Sequence, residues 1–174
     1  MCLTPPRPNI GDISVNVTDG TDALSGVSVV LTDSDSQTTT KTTDSEGEAV
    51  FDDVVAGDYT LTASKSGYTT VTESITVAGD ATVDIELTPT RSVSFTINDG
   101  NDAIEGAYIT IDGDTENKKG PTGSAGGCSA TLADGEHTFL VTAEGYTDKT
   151  ETATVDSTHT SFTISLTAAT EGSG

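Results

Sequence analysis

Short runs of alternating apolar and polar residues dominate the chain. Residues 13–17 read Ile-Ser-Val-Asn-Val and residues 93–97 read Val-Ser-Phe-Thr-Ile, so every second side chain is apolar. This two-residue period is typical of a strand that buries one face and exposes the other. The residues predicted to point inward are Ile13, Val15, Val17, Val27, Val29, Leu31, Tyr59, Leu61, Ala63, Ile75, Val77, Val93, Phe95, Ile97, Ala107, Ile109, Ile111, His137, Phe139, Val141, Ala153 and Val155.

Turn-forming residues separate these runs. Asp-Gly follows the first run at residues 19–20 and recurs at residues 99–100 and 112–113, and such pairs favour tight turns between strands. The density of β-branched residues and glycine excludes helix for most of the chain. We therefore predict an all-β fold with about seven short strands in each repeat, arranged as antiparallel sheets that each hide one face.

The chain contains an internal repeat of about 80 residues. The run Val15–Gly26 is answered by Phe95–Gly106, and Val83–Leu87 is answered by Phe162–Leu166. A domain of this size buries about 60% of its unfolded surface, so each repeat is expected to have modest stability by itself. The predicted organisation is an extended arm at residues 1–10, a first β-sandwich at 11–88, a linker at 89–91, a second β-sandwich at 92–168 and a tail at 169–174.

Three features of the first repeat follow one another in order: the acidic turn and strand Thr43–Phe51, then Gly57–Tyr59, then Gly67–Tyr68. With these features the repeat resembles the carboxypeptidase regulatory-like domain, a transthyretin-like β-sandwich, and it is similar to CNA-B and PEGA-like surface modules. The second repeat keeps the pattern more loosely, with His137 in place of an aromatic residue. The resemblance implies two tandem Ig-like or transthyretin-like antiparallel β-sandwiches, with structural positions at Tyr59, Leu61, Gly67, Tyr68, Phe139, Gly145 and Tyr146.

The chain is strongly acidic, with 7 Lys and Arg residues against 28 Asp and Glu residues and a formal net charge of -21. This charge disfavours a nucleic-acid partner, because such binders derive most of their affinity from cations that neutralise phosphates. It disfavours an anionic membrane surface for the same reason. No apolar run approaches the roughly 20 residues that cross a bilayer, so no membrane span is predicted.

The first residues differ in chemistry from the rest of the chain. Pro5, Pro6 and Pro8 lack amide donors and favour an extended polyproline II conformation. Arg7 is a cation in an otherwise acidic chain and can pair with a carboxylate of a partner. We predict that this arm contacts a protein partner, a capsid or surface assembly, through Leu3, Pro5, Pro6, Arg7 and Pro8. A homo-oligomer of the chain is a separate possibility that stays open.

The sequence offers no constellation that predicts catalysis. His137 and His159 stand without a second histidine or a cysteine at metal-ligand spacing. Nucleophilic catalysis would require Cys128 as the nucleophile and His137 as its base. An inward-facing cysteine in a strand, however, typically serves as a small buried hydrophobic residue. Cys2 is open to three interpretations: a free thiol, a lipid attachment site or an intermolecular disulfide.

The Asp-rich turns raise the question of calcium binding. Residues 19–22, 33–35, 99–102 and 112–114 each contain two Asp residues, but none has the twelve-residue spacing of an EF-hand. Asp and Gly are also the preferred residues of tight turns, so both interpretations stay open. No catalytic residue, metal or cofactor is predicted. A Lys–Asn crosslink of the CNA-B type is not expected either, since the first strands lack Lys and the last strands lack Asn.

Two kinds of structural protein fit these observations. Modules of this type act as spacers, adhesin stalks and interaction domains, so the resemblance specifies a fold more than an activity. The first hypothesis is a phage-like virion decoration or head-fibre protein on the virion surface, because residues 1–11 lack the features of a signal peptide and virion proteins are released by lysis. The alternative is an extracellular adhesin or stalk module of a bacterial or archaeal cell surface. An enzyme is not predicted, and the exposed Thr-rich turns are compatible with weak glycan contact.

Overall fold

The computed structural model describes residues 9–170 of the chain, and within that range every regular element is a β-strand. The chain divides into two units between Pro89 and Thr90. The all-β prediction is confirmed. Thr90 and Arg91, which the sequence analysis assigned to a linker, form the start of the first strand of unit 2. They do so because they pair with Ala133 and Leu132 and extend the sheet by two residues.

Unit 1 contains seven strands in the described range: β1 (Ile10–Thr18), β2 (Ser28–Thr32), β3 (Thr38–Thr42), β4 (Glu48–Val55), β5 (Gly57–Ser64), β6 (Val71–Val77) and β7 (Ala81–Glu86). They form two sheets with the strand orders β4-β1-β7 and β3-β2-β5-β6. Each sheet has a buried face and a solvated face, because the apolar residues of each strand alternate with polar ones.

Unit 2 contains equivalent strands and two short additional ones: β8 (Thr90–Asn98), β9 (Tyr108–Ile111), β10 (Asp114–Lys119), β11 (Gly127–Ala133), β12 (Gly135–Thr142), β13 (Tyr146–Thr147), β14 (Lys149–Val155), β15 (Ser161–Ser165) and β16 (Thr167–Ala168). Its main sheets have the orders β11-β8-β15 and β10-β9-β12-β14, and β13 pairs with β16. The strand order of unit 1 is therefore repeated, which accounts for the sequence repeat.

One ladder in each unit is parallel, where the sequence analysis expected only antiparallel pairing. Residues 13–18 of β1 pair in parallel with residues 81–86 of β7. Residues 94–98 of β8 pair in parallel with residues 161–165 of β15. Side chains alternate in the same way in parallel and antiparallel strands, so the pattern predicts a strand and its buried face but not its direction.

Each unit has its own hydrophobic core between its two sheets. Leu61 and Phe139 occupy equivalent positions in β5 and β12 and are both 0% exposed. The rings of Phe95 and Phe139 pack edge to face with centroids 5.0 Å apart, and Phe162 packs beside them. All the predicted inward residues are buried except four that are half-buried: Tyr59, Ile75, His137 and Ala153.

A close backbone approach fixes one turn at the same place in both units. The Val17 amide donates to the Gly47 carbonyl and the Ile97 amide donates to the Gly126 carbonyl, each over 2.8 Å. Both glycines have a positive φ, and a Cβ atom at Gly126 would lie 2.2 Å from the Ile97 carbonyl oxygen. Only glycine fits there. The glycine-rich segment 120–127 is thus a strand connection equivalent to the turn at residues 44–47.

A buried threonine hydroxyl ties two connections together in each unit. Thr43 Oγ1 donates to the Leu24 carbonyl over 2.6 Å and accepts from the Val27 amide over 2.9 Å. Thr122 makes the same two bonds with the equivalent groups of unit 2. Both residues are buried. Their burial was not predicted from the sequence, because a threonine in a Thr-rich chain carries no signal that its hydroxyl is buried.

Candidate functional site

The two Gly-Tyr pairs lie in the connections that follow β5 and β12, beside the segment that follows β7 or β15. Gly67 has a φ of 82° and places Tyr68 against the core, where Tyr68 also forms a β-bridge with Pro89. Gly145 has the same φ of 82°, and Tyr146 belongs to β13, which pairs with β16. These predicted structural positions therefore bind the segment that follows β7 in unit 1 and β15 in unit 2. In this way they fix the part of the chain that follows the last strand of the sandwich.

Side chains reinforce the two parallel ladders. Asn16 Nδ2 donates to Asp84 Oδ1 over 2.8 Å, between β1 and β7. Ser165 Oγ donates to Asn98 Oδ1 over 2.6 Å, between β15 and β8. The ladders continue at their ends with backbone bonds from the residues that follow β7 and β15. In both units the C-terminal part of the first strand is thus bonded to the last strand of its sheet.

A groove opens on unit 1 where β3 and β4, the edge strands of its two sheets, lie beside each other. Leu31, Phe51 and Val54 line it and are buried, so its floor is apolar. Tyr59 also lines the groove, and its hydroxyl donates to the Val55 carbonyl over 2.9 Å. The groove has a volume of about 420 Å³. It is large enough for side chains of an extended peptide, and we call it the Tyr59 groove.

Acidic side chains outnumber basic ones along the Tyr59 groove. Asp33, Asp52 and Asp53 line it together with one cation, Lys41. Lys41 Nζ lies 3.5 Å from Asp52 Oδ2, and the two side chains are 42% and 67% exposed. An ion pair this exposed adds little stability. The groove therefore presents a net negative charge to a ligand.

A bulge in β4 shapes the same rim. The register of β1 and β4 shifts between Gly11 and Ile13, and Asp53 opposite this shift has a φ of 55°. The Asp53 amide donates to Asp12 Oδ1 over 3.0 Å, which holds the bulged backbone. Bulges at sheet edges redirect side chains, and here two successive carboxylates, those of Asp52 and Asp53, line one groove.

Two exposed apolar side chains lie at one end of the Tyr59 groove. Ile10 and Val55 are 49% and 44% exposed and pair across β1 and β4, and Val55 also lines the groove. The preceding residue, Asn9, accepts from the Ala56 amide over 2.7 Å and donates its side-chain amide to the Ala78 carbonyl. The predicted partner-binding residues lie outside the described residues: Leu3, Pro5, Pro6, Arg7 and Pro8.

In unit 2 a histidine takes the place of Tyr59. His137 Nδ1 lies 2.6 Å from Asp112 Oδ2, and His137 Nε2 lies 2.9 Å from the Ala133 carbonyl oxygen. Both neighbours are hydrogen-bond acceptors, so the arrangement favours the doubly protonated ring. Burial lowers the pKa of His137, but the hydrogen bonds to Asp112 and Ala133 outweigh it and raise the pKa above its ordinary value.

In two of the Asp-rich turns, the carboxylate of the first Asp accepts hydrogen bonds from backbone amides of the same turn. Asp19 Oδ1 accepts from the amides of Asp22 and Thr21 over 2.8 and 3.0 Å. Asp99 Oδ1 accepts from the two equivalent amides of unit 2. These bonds lower the pKa of Asp19 and Asp99 below the ordinary value. Among residues 9–170, no group of three or more His, Cys, Asp or Glu side chains is placed to hold a metal ion.

Cys128 and His159 have different surroundings. Cys128 is half-buried against the second core, and burial raises the pKa of its thiol. The thiolate needed for nucleophilic chemistry is therefore disfavoured. His159 lies in an exposed turn with its Nδ1 2.9 Å from Asp156 Oδ2.

Within residues 9–170, no helix qualifies as a membrane-spanning segment.

Unit 2 contains a bidentate ion pair that was not predicted from the sequence. Arg91 Nε lies 2.6 Å from Asp134 Oδ1, and a second guanidinium nitrogen lies 2.8 Å from Asp134 Oδ2. The two side chains are 31% and 24% exposed. The pair joins the start of β8 to the turn between β11 and β12. Nothing in the sequence marks it, because the partners are 43 positions apart and neither belongs to a motif.

Comparison with known proteins identifies the first unit. Residues 12–89 match the family model of the carboxypeptidase regulatory-like domain. Unit 1 is therefore such a domain, as the sequence resemblance implied. No curated protein sequence matches the chain.

Solved structures share the architecture at low sequence identity. The chain is similar to a streptococcal ancillary pilin, with 15% identity, a TM-score of 0.50, and coverage of 95% of this chain and 64% of that one. It is similar to GBS52, a minor pilin of Streptococcus agalactiae, with 13% identity, a TM-score of 0.50, and coverage of 94% and 98%. It is also similar to the Bacillus anthracis TIE protein, with 17% identity and a TM-score of 0.42, but spans only 34% of that chain. The two pilin similarities establish a shared β-sandwich fold alone.

Proposed function

We propose that this chain, whose first unit is a carboxypeptidase regulatory-like domain, is a non-enzymatic structural module that bears tension at a cell surface, as part of a stalk or adhesin. The observation that carries the proposal is the parallel pairing of the first strand with the last strand of its sheet in both units. Two solved structures of similar fold are pilins, which supports a surface role.

The direction of the terminal strands decides how a unit resists force. Tension on the ends of unit 1 pulls β1 and β7 in opposite directions along their common ladder. Because residues 13–18 face residues 81–86 in parallel, the bonds of that ladder are loaded together and must break together. Each bond contributes only about 1 kcal/mol net, but simultaneous rupture raises the barrier that sets the rate of forced unfolding.

The candidate catalytic groups support a non-enzymatic role. The Cys128 thiol is half-buried with a raised pKa, and both ring nitrogens of His137 are already engaged. Neither group is prepared to act as nucleophile or base. The virion-decoration hypothesis receives no support from the proteins of similar fold, so we adopt the cell-surface alternative.

Single-molecule pulling on the full chain tests the proposal. Cys2→Ser and Cys128→Ser remove the native thiols, and tags at the two ends apply the force. We expect two unfolding events, each with an extended chain of roughly 260–290 Å less the end-to-end distance of the folded unit, since about 80 residues extend at about 3.3–3.6 Å each.

A second geometry supplies the matched control. An Ala56→Cys handle used with the N-terminal tag pulls β1 away from the end of β4, because the Ala56 amide is bonded to Asn9. This geometry opens the β1–β4 ladder one bond at a time. Unit 1 should unfold at a clearly higher force when pulled end to end. An equal or lower force in the end-to-end geometry would contradict a tension-bearing role.

A further inference from the structure

We propose that the Tyr59 groove of one copy of the chain binds the proline-rich arm, residues 1–8, of a second copy. The inference rests on the proposed function and deepens it by naming a partner for the surface module. It combines a groove that has an apolar floor and acidic walls with a segment that carries prolines, one leucine and one arginine.

The exposed apolar surface of unit 1 coincides with the groove. Ile10 and Val55 are two of the three large apolar side chains that are exposed in the described chain, and they are opposite each other where β1 begins and β4 ends. Val55 continues into the groove, where Val54 and Phe51 form the floor. The patch and the groove therefore form one continuous apolar track with a polar rim, as expected for a peptide-binding surface.

The arm and the groove are complementary in charge. Asp33, Asp52 and Asp53 stand along the groove against the single cation Lys41. Arg7 is the only charged residue in the first eight positions, and its guanidinium can make charge-assisted bonds to these carboxylates.

The prolines of the arm suit the aromatic side chain of the groove. Proline-rich segments dock on aromatic side chains at low entropic cost, because their extended conformation is already formed. Tyr59 is held in place by its bond to the Val55 carbonyl and supplies such a side chain. Arg7 next to Pro6 and Pro8 then places the charge beside the prolines.

The sequence of the arm favours a second copy over the groove of the same copy. Thr4, Pro5 and Arg7 each precede a proline, which restricts them to extended backbone conformations. Asn9, where the arm begins, is held by bonds to Ala56 and Ala78. A return into the groove of the same copy requires a tight reversal close to this fixed point. An arm that these prolines keep extended would instead reach a neighbouring molecule.

Unit 2 does not offer an equivalent site. The corresponding depression of unit 2 is lined by Asp112, Asn117 and Lys119 among others and has a volume of about 330 Å³. His137 stands in the position of Tyr59 and is bonded to Asp112 and Ala133. Because no tyrosine ring lies there, the arm should select unit 1.

Sedimentation of the full chain tests the inference. The Cys2→Ser chain excludes a disulfide, and its self-association is measured from micromolar to millimolar concentration. We expect reversible self-association that a synthetic peptide of residues 1–9 with Cys2→Ser dissociates in a dose-dependent way.

Three substitutions in the Cys2→Ser chain locate the contact. Arg7→Glu changes a residue of the arm, and Val55→Glu changes an exposed residue of the groove. Arg7→Glu and Val55→Glu should each weaken self-association by about tenfold or more, the loss expected for one charge-assisted bond or one desolvated contact. Tyr108→Glu, at a residue of unit 2 that is 41% exposed, is the matched control and should change nothing.

Three results of these experiments would each overturn the inference. A chain that stays monomeric at millimolar concentration excludes the second copy as partner. Self-association that survives Arg7→Glu, or is unaffected by the peptide, excludes the arm. Equal effects of Val55→Glu and Tyr108→Glu exclude the Tyr59 groove. Because pulling experiments use single molecules, any of these outcomes leaves the tension-bearing role to be judged separately.

Discussion

At the scale of single residues, Tyr59 and His137 make the same local contact with different chemistry. Tyr59 donates its hydroxyl to the Val55 carbonyl, and His137 contacts the Ala133 carbonyl through Nε2, in each case four residues earlier in the chain. His137 adds a second contact, to Asp112, that tyrosine cannot make. The contacts of His137 depend on the charge of its imidazole, whose pKa they raise.

The stability of unit 2 should therefore fall as the pH rises from 6.5 through the raised pKa of His137. The folded-state pKa of His137 lies above 6.5, so its stabilising effect is fully present below pH 6.5 and is lost as the pH rises through the raised value. Each unit of upward shift corresponds to about 1.4 kcal/mol. Hydrogen exchange of the β12 amides between pH 5.5 and 8.5 measures the effect once intrinsic exchange rates are divided out.

Two histidine variants serve as controls for this prediction. His137→Tyr should remove the pH dependence, because it restores the chemistry of Tyr59. His159→Gln, in an exposed turn, should leave it unchanged. A flat profile in the unsubstituted chain would show that the contact between His137 and Asp112 does not couple protonation to folding.

Burial at Leu61 and Phe139 predicts a large loss on truncation. Both are 0% exposed, so Leu61→Ala or Phe139→Ala should lower the free energy of unfolding of its unit by about 2–5 kcal/mol. Thr60→Ala and Thr138→Ala, on the opposite strand faces, should cost much less. Urea titration followed by circular dichroism measures all four variants. Equal losses on both faces would contradict the strand register.

At the scale of elements, the buried hydroxyls of Thr43 and Thr122 each join two strand connections that lie outside the sheet ladders. Thr122→Val keeps the side-chain shape but leaves the Ile104 carbonyl and the Ala107 amide without their partner. The expected cost is about 1–3 kcal/mol for each buried group left unsatisfied. Thr131→Val, at an exposed position of β11, is the matched control. Similar urea midpoints for the two variants would argue against the buried bonds.

The strands and the cores were predictable from the sequence, but the pairing and the candidate groove were not. Alternation at residues 13–17 fixes which side chains are buried, since burial of apolar area drives the choice of face. It carries no information on the parallel ladder between β1 and β7. The Tyr59 groove arises from residues of four strands and from a bulge at Asp53. Such features depend on three-dimensional neighbours that are far apart in sequence.

At the scale of the whole molecule, the charge of -21 is the dominant electrostatic property. Like charges repel within each folded unit, and added salt screens this repulsion. Raising NaCl from about 0.01 M to 0.15 M shortens the screening length from about 30 Å to about 8 Å and should raise the melting temperature. Calorimetry with KCl as a second salt tests screening. A melting temperature that is unchanged or lower would contradict net self-repulsion.

The parallel ladder of unit 1 also limits how its gene can be rearranged. Ile13 of β1 and Glu86 of β7 lie at opposite ends of a ladder six residues long, which is about 20 Å at 3.3 Å per residue, and β1 begins three residues before that ladder. A circular permutant that joins these ends therefore needs a linker that crosses the full length of the sheet. Linkers shorter than about six residues cannot span that distance, whereas new termini opened in the turn at residues 34–36 leave both sheets intact.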